Sequence, residues 1–317
     1  MSTTITTTPL PAQRTFASPR AWSGAWPLAR RLLTNPASLL GILLVLLFVV
    51  IAILAPVLAP PRSARADPYT IPRDGFSPEP RPPSEEHPFG TTEGQYDIYY
   101  GVIWGTRTAF QVGLIITACT LLIGLVIGSI AGFYGGWLDE ILMRVVEIFL
   151  AFPFLLAAIT MATVLQARLG RGLIVSMIAL IVFGWTTYAR LIRGDILSVK
   201  QRDYVLSARA IGTRDLAIIW RHVLPNAIYP TLVVASLDIG TYVLAFAGLS
   251  FLGLGAEVGY ADWGQLISFA RNWIPTLSKH WYIVVYPGAA ILLFVLGWNL
   301  IGDAFRDILD PKMRRPR

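Results

Sequence analysis

Hydrophobic and polar positions fall along this chain in long blocks rather than with the short period of a soluble helix or strand. Leu39 to Leu58 is a run of twenty residues without a charge. At about 1.5 Å per residue it crosses about 30 Å of hydrocarbon. Further apolar runs cover Thr108–Leu138, Ile148–Ala167, Gly172–Ala189, Ala227–Ala256 and Trp281–Gly302, the fifth interrupted only by Asp238. The pattern predicts an all-α integral membrane protein of six transmembrane helices with both termini on one side. Pro153, inside the third run, is expected to kink it.

The blocks divide the chain into an N-terminal tail and interfacial segment (1–33), a first transmembrane helix (34–60), a Pro-rich linker (61–100), a transmembrane core (101–305) and a basic tail (306–317). The linker carries eight prolines between Pro61 and Pro88. That density excludes helix and central strand and predicts extended, polyproline-like chain outside the bilayer, where its backbone can be hydrated. His87 in this segment reads as a loop residue. Trp22, Trp26, Arg30 and Arg31 suit a headgroup region. The first 38 residues are polar and the first apolar run is too long for an h-region, so no cleavable signal peptide is expected.

One polar island stands inside the core, within a loop read as 194–225. From Arg190 to Asn226 it carries seven Lys and Arg residues. Asp203 can cap a helix starting at Tyr204, Gly212 suits the left-handed residue that ends one, and Thr213 can cap a second. In that second helix Leu216, Ile219, Trp220 and Val223 share a face, and Pro225 is expected to break or kink the chain after it. Elsewhere Gly124, Gly128 and Gly132 recur every fourth residue and predict a face for close helix packing. Glu140 and Arg144 are placed to pair along one helix.

The island resembles a known pattern. Ala208, Gly212, Leu224 and Pro225 stand at the spacing of the EAA-type loop of ABC-importer permeases, EAA-x3-G-x9-I-x-LP. Tyr204, Arg209, Ala210, Ile211 and the run Arg221–Asn226 are similar to its dipeptide/oligopeptide branch, as are His87–Thr91, Glu147–Pro153 and Ala247–Gly255. The chain departs from the pattern at Leu206 and Ser207, and Gln95-Tyr96-Asp97 stands where relatives carry Gly-Arg-Asp. The resemblance implies a type I ABC importer permease whose 204–225 loop docks on a separate ATPase. It further implies two ATPase subunits, a homologous second permease subunit and an extracytoplasmic substrate-binding protein. ATP and Mg would sit on the ATPases, with no cofactor in this chain. The implied place is a prokaryotic cell membrane and the implied substrate a di- or oligopeptide, with a nickel chelate or an oligosaccharide as alternatives. A plain basic loop between two spans is the bland reading of the island.

Composition and charge agree with a membrane protein. Hydrophobic residues make up 55% of the chain and charged residues 14%, against about 25% charged in soluble domains. The net charge of +7 lies in loops flanking apolar runs, which speaks for lipid and against nucleic acid. Seventeen Lys and Arg fall on the side of the termini and island and nine on the other, which places the termini and the island in the cytoplasm. No phosphate-binding G-x4-G-K-[ST] loop, Gly-x-Ser-x-Gly elbow or HExxH helix occurs, and the single Cys119 offers neither a disulfide nor a metal pair. Neither a catalytic nor a metal site is expected, and energy must come from another subunit or an ion gradient. Asp238, about 17 Å into the fifth run, reads as a pathway-lining or structural acid. On that reading Asn at 238 leaves ATP-driven uptake largely intact. An ion-coupled transporter using Asp238 is the other class.

Overall fold

The structure, a computed structural model, describes residues 35–63 and 65–309. The readings of the tail 1–33 and of the basic tail beyond 309 lie outside them. Among the described residues five helices are long and apolar enough to span a bilayer, and a bent pair, taken as one span, makes a sixth. Helix α1 (Pro36–Leu58) starts on Asn35, whose side chain accepts from the Ala37 amide. Helix α2 (Ile98–Tyr134) has 37 residues, about 55 Å of helix. It begins ten residues before the apolar run, because Asp97 caps it by accepting from the Tyr100 amide at 2.9 Å. Arg107, whose charge ended that run, donates to the Ala52 carbonyl of α1 at 2.6 Å and lies over the Trp104 ring.

The third span is broken rather than kinked. Helix α3 (Gly136–Leu150) and helix α4 (Phe154–Leu169) meet at 85° across Ala151–Pro153. Pro153 lacks the amide that would continue the ladder and forces its predecessor out of the helical region. The pair expected between Glu140 and Arg144 is replaced by two others. Arg144 reaches Glu147 at 3.3 Å, and Asp139 accepts two bonds from Arg193, at 2.5 and 2.7 Å.

Helix α5 (Leu173–Val199) absorbs residues 190–199 of the island, and with them the start of the loop read as 194–225. Next come α6 (Asp203–Ala210) and α7 (Asp215–Ile218), each entered through an extended Arg with no side-chain cap, so neither Asp203 nor Thr213 caps. A π-helical turn, Ile219–Val223, joins α7 directly to α8 (Leu224–Phe251). Pro225 therefore does not break the helix. The widened turn lies where a proline ring would strike a carbonyl of the preceding turn, and the Asn226 side chain donates to the His222 carbonyl at 2.7 Å. Helices α9 (Trp263–Ser268) and α10 (Leu277–His280), with a 3₁₀ turn between them (Arg271–Thr276), lead into α11 (Tyr282–Leu309).

The Pro-rich segment is a folded cap, held by bridges Thr70–Tyr260, Arg73–Tyr96 and Thr91–Asp97. His87 is buried within it. Its Nδ1 lies 2.7 Å from Asp97 and its Nε2 2.8 Å from Asp74, which also contacts Arg62. Gln95 takes a left-handed φ of 65° and donates to the Glu79 carbonyl at 2.7 Å. The departure from Gly-Arg-Asp, at its first two positions, thus supplies a turn residue and a Tyr stacked on Phe269, while Asp97, common to both, caps α2. This cap and the island lie at opposite ends of α2.

Candidate functional site

Three features carry the site. The first is the elbow of α6 and α7. Gly212 has φ +79°, the Thr213 amide donates to the Ala208 carbonyl and the Gly212 amide to that of Arg209. This is a Schellman ending, which needs a left-handed residue after the helix. Val205 and Ala208 turn inward onto Ile192, Ile196, Ile218, Val223 and Leu224, so the elbow is rigidly seated. Lys200 donates to the Gly132 carbonyl at 2.7 Å, and Arg209 lies over the Phe133 ring. The other face is bare: Tyr204, Leu206, Leu216 and Trp220 are exposed and Ile211 is 83% exposed. Ala210 is exposed beside them, while Pro225 is exposed in the first turn of α8. Beside the elbow opens a hollow of about 530 Å³ whose wall includes Tyr134, Leu206, Arg209 and Asp215.

The second feature is the packing of α2 on α5. A Cβ built on Gly124 would lie 2.4 Å from Tyr188 Cβ, and one on Gly128 only 2.0 Å from Ile192 Cγ2. On Gly132 the nearest atom would stand at 3.0 Å. The three glycines let the helix that ends at the elbow run against the helix that enters it.

The third is Asp238, in the middle of α8. Its Oδ2 accepts from the Tyr188 hydroxyl of α5 at 2.6 Å. The carboxylate borders a cavity of about 200 Å³ walled by Phe149, Phe152 and Phe154 at the α3–α4 break, and by Thr187 and Tyr242. Sequence reasoning finds Asp238 but not its neighbours: the break that brings three Phe residues to it is a tertiary angle with no local signature beyond Pro153. It also misses Tyr188 and the Asp139–Arg193 pair. Among the described residues no three His, Cys, Asp or Glu side chains converge as metal ligands would.

Comparison with known proteins agrees with this geometry. The pattern of the binding-protein-dependent transport system inner membrane component matches residues 124–315. That of the N-terminal TM domain of oligopeptide transport permease C matches residues 21–75. The dipeptide transport system permease protein DppC of Alkalihalophilus pseudofirmus is 40% identical over 73% of this chain and 74% of its own. That of Bacillus subtilis is 35% identical over 92% and 86%. A chain of the inward-facing MetNI methionine ABC transporter superposes with a TM-score of 0.54 at 18% identity, covering 67% of this chain and 97% of that one, which supports the fold alone. Matched by one family pattern over most of its core and by a relative across nine-tenths of its length, the chain belongs to the inner membrane components of binding-protein-dependent transport systems, the multi-pass permease subunits of prokaryotic ABC importers.

Proposed function

We propose that this chain, with a homologous second permease subunit, forms the translocation pathway of a peptide importer, and that its elbow couples the pathway to two separate ATPase subunits. The dipeptide permeases among its relatives support peptide as the substrate. ATP and Mg belong to the ATPase partners, and an extracytoplasmic binding protein delivers substrate. The elbow and both termini face the cytoplasm, as the surplus of Lys and Arg on that side favours.

The observation that carries the coupling role is an elbow seated on buried Val205 and Ala208 yet presenting exposed Leu206 and Ile211. A lever needs both a rigid base and an unsatisfied apolar tip. ATPase closure would move α6, and because α7, the π turn and α8 form one continuous 37-residue run, the motion reaches the span that carries Asp238. The pathway would alternate between facing out to receive substrate and facing in to release it.

Ile211→Asp tests this. It puts a charge on an apolar tip that is 83% exposed, so the permease should remain in the membrane while the co-purified ATPase is lost. Gly212→Trp meets open space but must hold a left-handed φ. It should keep the subunits together while ATP hydrolysis no longer drives uptake. Full retention of ATPase and uptake by Ile211→Asp would remove the coupling assignment.

A further inference from the structure

We infer that Asp238 is the subsite in the membrane for the ammonium group of the substrate. The inference rests on the peptide-importer reading above. A carboxylate at mid-span costs several kcal/mol unless something compensates it, and here the compensation is half complete. Tyr188 bonds Oδ2, while nothing among the described residues donates to Oδ1. None of the ion pairs among those residues includes Asp238. Among the described residues no Lys or Arg lines the cavity.

The surroundings fit an ammonium in particular. Phe149, Phe152 and Phe154 border the cavity beside the carboxylate, and the face of an aromatic ring attracts a cation once water is excluded. Thr187 and Tyr242 complete the same wall, the Tyr242 hydroxyl donating to the Gly184 carbonyl at 3.3 Å. A –NH₃⁺ group has three donors and no acceptor, which suits an acidic oxygen set among aromatic side chains and the Thr187 hydroxyl. A substrate carboxylate would instead meet repulsion. Tyr188 plays a separate part, since its hydroxyl holds Oδ2 and leaves Oδ1 turned to the substrate. The cavity is also bounded by the α3–α4 break and by α8, the helix continuous with the elbow, so its shape changes when the elbow moves.

The test uses the nucleotide-free complex of this chain with its second permease subunit and ATPases in lipid nanodiscs, without binding protein. Cys119 is replaced by Ser, and Thr241→Cys, on the cavity wall one turn from Asp238, reports occupancy through its maleimide labelling rate. Alanyl-phenylalanine should slow labelling at a concentration about tenfold or more below that needed by its N-acetyl derivative, the difference one charge-assisted bond makes. In Asp238→Asn, which still accepts from Tyr188, the two peptides should become equal. Equal protection by the two peptides in the wild type overturns the inference, as does a preference that survives Asp238→Asn. Loss of the second permease subunit from Asp238→Asn, with equal protection in the wild type, assigns the carboxylate to a cation across the subunit interface and also overturns it. Protection by neither peptide overturns the peptide reading itself.

Discussion

Replacing Gly128 by alanine sets a methyl carbon 2.0 Å from Ile192 Cγ2 and 2.5 Å from the Ala189 carbonyl oxygen. Carbon atoms settle at about 3.5 Å or more, so α2 and α5 must part by about 1.5 Å or Ile192 must turn away. Turning is blocked, because Ile192 is fully buried and a β-branched side chain in a helix has one strongly preferred rotamer. The helices therefore separate, and contacts at Gly124 and Gly132 loosen with them. Overpacking of this kind costs about 1–3 kcal/mol, and the shortness of the contact argues for the upper end. At about 2–4 °C per kcal/mol for domains near this size, the unfolding midpoint in detergent should fall by about 4–10 °C, read from tryptophan fluorescence on heating. Gly132→Ala, whose new methyl would meet nothing closer than 3.0 Å, should lose far less. Gly194→Ala, with nothing within 4 Å, should lose nothing. If Gly128→Ala melts with Gly194→Ala, the close approach of α2 to α5 is wrong.

Three other outcomes rest on the same geometry. Asp139 and Arg193 form a two-pronged pair between α3 and α5, so a double-mutant cycle on thermal stability should show about 1–2 kcal/mol of coupling, and Arg193→Lys should lose much of it. Burial pushes the Asp262 carboxyl up to about 6, with the Gly264 amide pulling the other way. An acid raised above its unfolded value of 3.8 holds extra protons in the folded state, so stability falls as pH rises from about 4 to about 6 and is level above. Asp262→Asn, which still caps α9, should flatten that slope in pH-dependent melting. Asp74 is held below the usual carboxylate range, chiefly by its hydrogen bond to Arg62. Its contribution to the cap is present above pH 3.8 and lost as pH falls through the lowered value, so Asp74→Asn should mute any acid-induced gain in proteolysis within residues 61–97.

Much of the architecture was legible without coordinates, because hydrocarbon imposes one demand that composition alone reports. Every span must be apolar and hydrogen-bonded within itself, so six apolar runs sufficed to find five helices and a broken sixth. The conformation of Gly212 was legible for a similar reason: a left-handed helix ending strongly favours one residue type. The fourfold spacing of Gly124, Gly128 and Gly132 announced a close-packing face, though not that α5 is the partner.

The tertiary structure alone decided the relations between segments. The 85° break at Pro153 and the π turn that carries α8 through Pro225 set how successive helices meet, and the burial of His87 rests on Asp74 and Asp97, thirteen and ten residues away along the chain. Charge misled the reading of α2 and of Glu140 in the same way. Arg107 ended an apolar run but not the helix, since α1 supplied a carbonyl, and Asp139 found Arg193 on α5. The sequence by itself determined which segments enter the membrane, since each must satisfy its own backbone there. Which polar side chains meet, Tyr188 with Asp238 and Arg193 with Asp139 among them, was decided by packing, because those partners lie on different helices.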